Sequence, residues 1–208
     1  MPSKDDVDEL PEFERRSIDA LRQPLEDRVV SISRVQGTAL FPADFILLAA
    51  MNPHRGGADS TTASGADFGN TMLETYKKKI SGPIFDRIDL WLEVPHVPYE
   101  TLAETNHLTQ ETKLARDAIL RARAKQSARL EGRKARTNAE MSARDLTETV
   151  HLPREVTELL RTAAARLGLS PRSYHRVIKV ARTIADLAGS DEIKKEHLLE
   201  ALQYRIKM

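Results

Sequence analysis

The sequence has 208 residues, with 32 Lys and Arg against 31 Asp and Glu, 40% hydrophobic residues and no cysteine. That length allows one large domain or two small ones. The missing cysteines exclude disulfides, Cys-ligated zinc, iron–sulfur clusters and thiol nucleophiles. The longest apolar run, residues 45–51, is far shorter than the ~20 residues of a membrane span, and the N-terminus has no secretory signal. These features predict a cytoplasmic protein without a membrane partner.

Charge is unevenly distributed along the chain. Residues 1–98 have 11 Lys and Arg against 16 Asp and Glu, a balance of −5, whereas residues 99–208 have 21 against 15, a balance of +6. The change falls at Pro95-His96-Val97-Pro98, where two prolines limit helix formation. A change in composition at a proline-rich junction predicts a domain boundary, so we expect two domains, 1–98 and 99–208.

The first domain opens with a helical and then a hairpin pattern. Residues 13–25 have apolar side chains at helical spacing, which predicts a short helix. Two strand-like runs, 28–34 and 39–41, flank Gln36 and Gly37. Strand patterns around a glycine at this spacing predict a β-hairpin.

Two further strands are predicted in the first domain. Residues 45–51 are apolar at every position, which is typical of a strand buried on both faces of a parallel sheet. Residues 88–94 alternate apolar and polar side chains, which predicts a half-exposed strand at or near a sheet edge. The first domain is therefore expected to be an α/β layer.

The second domain is predicted to be an all-α bundle, so that helix predominates in the whole chain. Pro153 stands at a helix start and Gly168 at that helix's end. Ser170 followed by Pro171 repeats the start signal, an N-cap before a first-position proline. The four predicted helices span residues 109–134, 153–167, 171–188 and 194–204.

Acidic and amide side chains provide the first candidate site. Asn52 follows the apolar strand, and in open α/β sheets ligands bind at the carboxyl ends of strands. An amide there can orient a water or a phosphate oxygen, although an Asn before Pro53 also suits a turn. The neighbouring Asp8 and Glu9 can hold Mg²⁺ through water and polarise an attacking water, although such acidic pairs are usually solvated.

Two arginines are candidates for phosphate contacts. Arg87 precedes the predicted edge strand, from which an exposed arginine could reach the γ-phosphate of a neighbouring subunit. An ion pair with Asp86 or Asp89 is the alternative. Arg172 lies in the first turn of its helix, where a helix N-terminus and a guanidinium together make a good anion site. Its alternative is a solvated charge on the polar face.

The helix at 109–134 is rich in basic residues, nine of which occur between Lys113 and Arg136. Such a helix could contact phosphodiester backbones. However, exposed basic side chains are usually solvated, and no aromatic residue between positions 100 and 173 is available to stack on a base. The six histidines show no metal-ligand spacing.

Six segments occur in order and at natural spacing: DELPEF, LRQPLEDRVVSISR, AAMNP, ISGPIFDRIDL, VPYE and LSPRSYHRVIKVARTIADLAGSDEI. Together they resemble the AAA+ ATPases of the magnesium-chelatase-like ComM group, also known as the YifB family. The resemblance covers nearly the whole chain from Asp8 onward. It implies that residues 1–98 are the later half of an AAA+ P-loop ATPase core and that residues 99–208 are its helical lid.

The resemblance implies a role for each candidate residue. Asp8 and Glu9 would end the Walker B motif, Asp8 holding Mg²⁺ through water and Glu9 activating the attacking water. Asn52 would be sensor 1 and Arg172 the sensor 2 arginine of the lid, both near the nucleotide. Arg87 would be an arginine finger that acts on the ATP of a neighbouring subunit.

Cofactors and partners follow from the same resemblance. ATP and Mg²⁺ are expected in the intact parent protein, together with self-assembly into a ring, expected to be a hexamer. The hairpin at Gln36 and Gly37 would be the pre-sensor insertion, which in related ring motors points into the pore towards DNA.

Three features depart from the family pattern. The chain contains no Gly-x-x-x-x-Gly-Lys-Ser/Thr loop, the main phosphate cradle. Lys4, Asp5, Asp6 and Val7 stand where Walker B has four apolar residues, so we expect the chain to begin part-way through that strand, as a truncated gene product or a deliberately shortened chain. Residues 54–70 lack the cysteines that many relatives have there, so no zinc is expected.

The resemblance therefore predicts the C-terminal portion of an AAA+ ATPase whose parent couples ATP hydrolysis to DNA remodelling, in recombination or natural transformation. The portion alone is expected to be inactive. Alternatives are a chelatase-type motor that remodels a protein partner for metal insertion, and a non-enzymatic helical DNA-binding module. We also expect residues 99–208 to fold independently while residues 1–98 are loose, self-associated or unusually paired.

Overall fold

The computed structural model describes residues 3–7, 10, 13–51, 80–94 and 108–205. Contacts divide the chain into two compact units, Met1–Ile88 (unit 1) and Asp89–Met208 (unit 2). The boundary predicted between residues 98 and 99 lies outside the described residues, and it stays a prediction.

Unit 1 begins its helical part with two short helices. Helix α1 spans Arg15–Ala20 and helix α2 spans Arg22–Asp27, where a single helix over 13–25 was predicted. Pro24 explains the break, because a proline has no N–H to donate and its ring clashes with the carbonyl four residues earlier. Arg28 ends α2 with a φ of 57°.

The predicted hairpin is confirmed. Strand β2, Val29–Arg34, pairs antiparallel with strand β3, Gly37–Pro42. The register places Arg34 opposite Gly37, so that Val35 and Gln36 form the turn. The hydroxyls of Ser33 and Thr38 lie 3.1 Å apart across the two strands.

A second pair of strands is parallel. Strand β1, Ser3–Val7, pairs with strand β4, Phe45–Ala49, with Val7 opposite Ala49. The prediction that residues 45–51 are buried on both faces is wrong, because Ile46 and Leu48 are 53% and 52% exposed. The reason is that β4 has β1 as its one strand neighbour among the described residues, and its side chains alternate between half-buried and exposed.

The region before the unit boundary contains a one-turn helix, α3, Gly82–Phe85. Ile80, Ile84 and Phe85 are buried there, and the Ser81 hydroxyl donates a 2.6 Å hydrogen bond to Asp19. The edge strand predicted over 88–94 is wrong, since these residues have no strand pairing.

The described part of unit 2 contains the four predicted helices, one further α-helix and a short 3-10 helix, Asn138–Glu140. Helix α4 ends at Arg129, before the predicted residue 134, and Gly132 follows it with a φ of 74°. The additional helix, α5, begins at a serine N-cap that the sequence reading missed. The helices are α4, Leu108–Arg129; α5, Ala143–Thr149; α6, Arg154–Leu167; α7, Pro171–Leu187; and α8, Lys195–Gln203.

Two helix-end signals of unit 2 act as predicted, whereas Pro153, predicted at the first helical position, is the N-cap of α6. Gly168 ends α6 in the left-handed conformation, with a φ of 61°. Ser170 is the N-cap of α7, and its side chain accepts a hydrogen bond from the Ser173 N–H. The helices enclose one hydrophobic core, whose buried members are Leu130, Ala135, Met141, Leu146, Val156, Leu160, Val177, Ile178, Ala181, Ala185, Ile193, Leu198 and Ala201. Within the described stretches, no helix has the length and apolar character needed to cross a bilayer.

Candidate functional site

The carboxyl ends of β1 and β4 lie side by side in unit 1. Val7 is the register partner of Ala49, and just beyond it the Leu10 N–H donates a 3.0 Å hydrogen bond to the Ala50 carbonyl. Parallel strands that end together form the sheet edge at which open α/β proteins bind ligands. The chain therefore has such an edge at this position.

Three of the predicted site residues adjoin this edge in the sequence. Asp8 and Glu9 stand between Val7 and Leu10, and Asn52 follows Met51. All three lie outside the described residues, so their roles stay predictions. What the structure provides is the pairing of the segments immediately around them.

The hairpin turn holds the two residues predicted to contact DNA. Gly37 has a φ of 144°, a backbone conformation that side chains rarely adopt, although an added Cβ would meet no atom within 4 Å. A glycine is therefore favoured here by backbone conformation rather than by lack of space. Gln36 is exposed and the neighbouring Val35 is fully exposed, so the tip presents an apolar and an amide side chain.

Arg87 is firmly held within unit 1. It follows α3, and its side chain is only 10% exposed, which differs from the exposed arginine expected from the sequence. Its Nη1 donates a 2.7 Å hydrogen bond to the Pro83 carbonyl and its Nη2 forms an ion pair with Glu26. The buried Nε has no hydrogen-bond partner among the described residues.

The partner of Arg87 is one that sequence reasoning missed. Asp86 and Asp89 were the predicted alternatives, but the ion pair is made with Glu26 on α2, 61 residues away. No local spacing signals a contact over that separation. The contacts with Pro83 and Glu26 thus fix the position of the guanidinium. Its buried Nε finds no acceptor among the described residues, which normally costs free energy.

Arg172 lies where the sequence placed it, in the first turn of α7 and exposed. The residues beside it fasten this helix end within unit 2. The buried Ser173 hydroxyl accepts a 2.8 Å hydrogen bond from Arg205, and Arg176 forms an ion pair with Asp89. A well-anchored helix N-terminus with an adjacent guanidinium has the electrostatics of an anion site.

A polar cluster at the other end of α7 was not predicted. Asp186 is fully buried and forms ion pairs with Arg129 and Arg182. Asn138 donates a 2.8 Å hydrogen bond to the same carboxylate, and its amide oxygen accepts from Arg129 at 3.0 Å. Burial lowers the pKa of Arg182, partly opposed by the attraction of Asp186. The cluster joins α4 to α7 and is structural in character.

In the part of the chain that the structure describes, no group of three His, Cys, Asp or Glu side chains could hold a metal ion. The expectation about zinc concerns residues 54–70, and the magnesium expectation concerns Asp8, all outside the described residues.

Both halves of the chain match known families. Residues 6–102 match the family described as magnesium chelatase, subunit ChlI, and residues 109–205 match magnesium chelatase, subunit ChlI C-terminal. Over 203 residues the chain is 41% identical to the competence protein ComM of Haemophilus influenzae, covering 96% of this chain and 38% of that protein.

Further relatives match the same span. Identity is 37% over 199 residues with the protein YifB of Escherichia coli and 32% over 206 residues with Rv2897c of Mycobacterium tuberculosis. Each alignment covers 96% of this chain, but 38% and 39% of these two relatives. The chain thus spans about two fifths of the length of the curated relatives it matches.

Proposed function

The chain belongs to the AAA+-like family of the magnesium chelatase subunit ChlI, and from that premise we propose that it is the C-terminal portion of an ATPase motor that remodels or translocates DNA. The whole motor couples ATP hydrolysis to DNA movement in recombination or in natural transformation. The competence name of the Haemophilus relative, 41% identical, supports the second process.

One observation carries this proposal: the carboxyl ends of β1 and β4 end together. Asp8, Glu9 and Asn52 are next to these ends in the sequence. We assign Mg²⁺ binding through water to Asp8, activation of the attacking water to Glu9, and orientation of that water or a phosphate oxygen to Asn52. Carboxylates suit Mg²⁺ because it prefers hard oxygen donors.

The two arginines complete the proposed machinery. Arg87 acts on the nucleotide of a neighbouring subunit, for which its guanidinium, 10% exposed in this chain, exchanges Glu26 for the phosphate. Arg172 contacts the phosphates of its own nucleotide. Positive charge aimed at the transferring phosphoryl group is the main catalytic contribution in this chemistry. The packing of Ile80, Ile84 and Phe85 around α3 supports a finger that is rigidly mounted.

ATP and Mg²⁺ are the proposed cofactors, and a ring of identical subunits, a hexamer, is the proposed assembly. DNA is the proposed partner and Gln36 and Gly37 its proposed contacts in the pore. The cysteine-free composition suits the reducing cytoplasm, the proposed compartment. Without a Gly-Lys-Ser/Thr loop, the 208-residue chain by itself should not hydrolyse ATP.

A second candidate is a chelatase-type motor that remodels a protein partner for metal insertion. The matching families, both described by magnesium chelatase subunit ChlI, favour it. Stimulation of hydrolysis separates the two candidates. A DNA motor should hydrolyse ATP faster with DNA present, whereas a chelatase-type motor should not respond.

The test is a chimera in which this chain replaces the matching segment of the Haemophilus relative. We expect it to hydrolyse ATP and expect Arg87→Ala and Arg172→Ala each to reduce kcat by at least tenfold. Losses of about 10³-fold or more are known when a trans-acting arginine is missing. Arg87→Lys should restore little, because an ammonium lacks the planar fork of the guanidinium.

Arg161→Ala is the matched control, since Arg161 is an exposed arginine in the middle of α6. It should leave kcat within twofold. Mixing Arg87→Ala subunits with Asn52→Ala subunits should restore part of the activity, because some interfaces then pair an intact finger with an intact sensor. Full activity of the Arg87→Ala chimera, or no hydrolysis by the parent chimera, would overturn the proposal.

A further inference from the structure

The first half of α4 is a helix without packing partners among the described residues. Of the side chains from Gln110 to Arg121, only Ala118 is even half-buried. The face of α4 that packs into unit 2 becomes more exposed towards the N-terminus of the helix. Ala122 and Gln126 are buried, Ala118 is half-buried and Leu114 is 63% exposed. About three turns of α4 therefore extend beyond the core of unit 2.

A stripe of cations runs along this extension. Lys113, Arg116 and Arg123 are all exposed. At 3.6 residues per turn they fall within a sector of about 80° around the helix. Ala122, which faces the core, lies about 100° or more from each of them. The sector also contains the uncharged Leu120 and Ser127, and no Asp or Glu of α4 falls within it.

The stripe lacks the neutralising partners that several other cations of unit 2 have. Lys113 and Arg116 make no ion pair with any described residue, and Arg123 reaches only the amide oxygen of Gln126 at 3.4 Å. Elsewhere in unit 2 the ion pairs include Lys125 with Asp191, Arg129 with Asp186, Arg133 with Asp145, Arg144 with Glu148 and Arg154 with Glu158.

The spacing of the stripe fits a polyanion with closely spaced charges. Ten residues separate Lys113 from Arg123, which at 1.5 Å per residue is about 15 Å. One strand of B-DNA has a phosphate every 3.4 Å along its axis, so about four phosphates face the stripe. With no aromatic residue in α4, the contact is to the backbone and does not read bases.

We propose that the Lys113–Arg116–Arg123 stripe of α4 binds the phosphodiester backbone of DNA. This gives unit 2 a DNA contact separate from the hairpin at Gln36 and Gly37. It deepens the proposed function by naming where the DNA partner lies, but it depends on no nucleotide and no assembly. The helix extension serves to hold the three cations in line away from the core.

The test measures DNA binding by the 208-residue chain itself. A short labelled duplex, or either of its single strands, is titrated by fluorescence anisotropy between about 50 and 200 mM salt. The variant is Lys113→Gln, Arg116→Gln, Arg123→Gln, in which glutamine preserves helix propensity. Three lost phosphate contacts should lower the slope of log K against log salt by about 2.7 for the duplex. Wild-type affinity should then fall about 40-fold more than the variant's over this salt range.

The control variant removes the same charge elsewhere in unit 2. Arg161 and Arg166 are exposed on α6 but lie about 140° apart, and Lys134 is exposed beyond α4. Their joint replacement by glutamine should change the slope by less than about one. Circular dichroism checks that both variants keep the helix content of the wild type.

Equal losses in both variants would overturn the proposal, because net charge alone would then explain binding. Absence of salt-dependent binding by the wild-type chain would overturn it as well. Neither result bears on ATP hydrolysis by the chimera. Conversely, an inactive chimera with intact stripe-dependent binding would reject the motor and leave this surface standing.

Discussion

The two units of the chain bury their apolar residues in different ways. In unit 2 the buried residues from Leu130 to Ala201 form one continuous cluster. In unit 1 no described side chain of β2, β3 or β4 is buried. The exposed apolar residues of those three strands are Val30, Ile32, Leu40, Phe41, Ile46 and Leu48.

The N-termini of the helices also differ between the two units, in the hydrogen bonds that cap them. None of the three helices described in unit 1 has a side-chain hydrogen bond at its N-cap. In unit 2, Ser142 and Ser170 cap α5 and α7 with their hydroxyls. A side-chain cap typically contributes about 1 kcal/mol, so local and tertiary interactions both favour unit 2.

The comparison indicates that the strands of unit 1 are the less stable part of the chain. The sheet edge proposed to hold the nucleotide machinery is formed by two five-residue strands, and a two-stranded sheet is marginal alone. The stripe proposed to bind DNA extends from a unit with its own core. The two proposed functions therefore rest on parts of unequal stability.

Amide exchange should show the largest difference. We expect α7 to exchange through global opening, at ~5 kcal/mol or more, and β4 through local opening near 0–1 kcal/mol. Protection of residues 174–187 should then exceed that of residues 45–51 by a factor on the order of a thousand. Exchange followed by mass spectrometry measures both segments in one sample. Stronger protection of 45–51 would contradict the comparison.

Truncating one side chain in each unit should show the same difference in the free energy of unfolding. Leu160 is completely buried in the core of unit 2, so Leu160→Ala should lower the free energy of unfolding by about 2–5 kcal/mol. Ile46 is half exposed, so Ile46→Ala should cost about 1 kcal/mol or less. Trp91, the single tryptophan, belongs to unit 2 and reports its unfolding in urea. Equal effects of the two changes on this signal would reject the difference in burial between the strands of unit 1 and the core of unit 2.

Local signals predicted the elements that local chemistry determines. Ser170-Pro171 and Gly168 fixed the ends of α7 and α6, and the alternating runs around Gly37 predicted the hairpin. The capping pattern at Ser142 and Asp145, which marks α5, was equally local but was missed. The helix ends depend on hydrogen bonds between residues a few positions apart, and the hairpin pairs neighbouring runs of the chain, so a sequence displays both directly.

The errors come from contacts between distant residues. Residues 88–94 alternate apolar and polar side chains in the sequence, but a strand also needs a partner. The Trp91 N–H donates instead to the Tyr204 carbonyl, and Leu90, Leu92 and Val94 are exposed. The apolar run at β4 likewise predicted burial that two strands cannot supply. The sequence predicted the helical position of Arg172 correctly, but it could not indicate the Glu26 partner of Arg87.

The capping box of α5 adds an acid-sensitive part to unit 2. Hydrogen bonds from the Ser142 hydroxyl and backbone N–H, together with one from Arg133, lower the pKa of Asp145 from its usual 3.8 to about 2. The unfolded chain then takes up this proton more readily than the folded one. The stabilisation is therefore complete above pH 3.8 and is lost as the pH falls through about 2.

The smallest predicted effect follows from this capping box. Ser142→Ala should cost about 1 kcal/mol and lower the Tm at pH 7 by about 2–4 °C. Asp145→Asn should also lower the Tm at pH 7, but its deficit should shrink below pH 3.8 and be largely lost as the pH falls through about 2, where wild-type Asp145 becomes protonated too. Thermal unfolding followed through Trp91 measures both variants, with the exposed Ser127→Ala in α4 as a control that should not lower the Tm. A deficit of Asp145→Asn that stays constant down to pH 2 would show that the carboxylate charge contributes nothing, and the acid sensitivity assigned to unit 2 would then have to arise elsewhere.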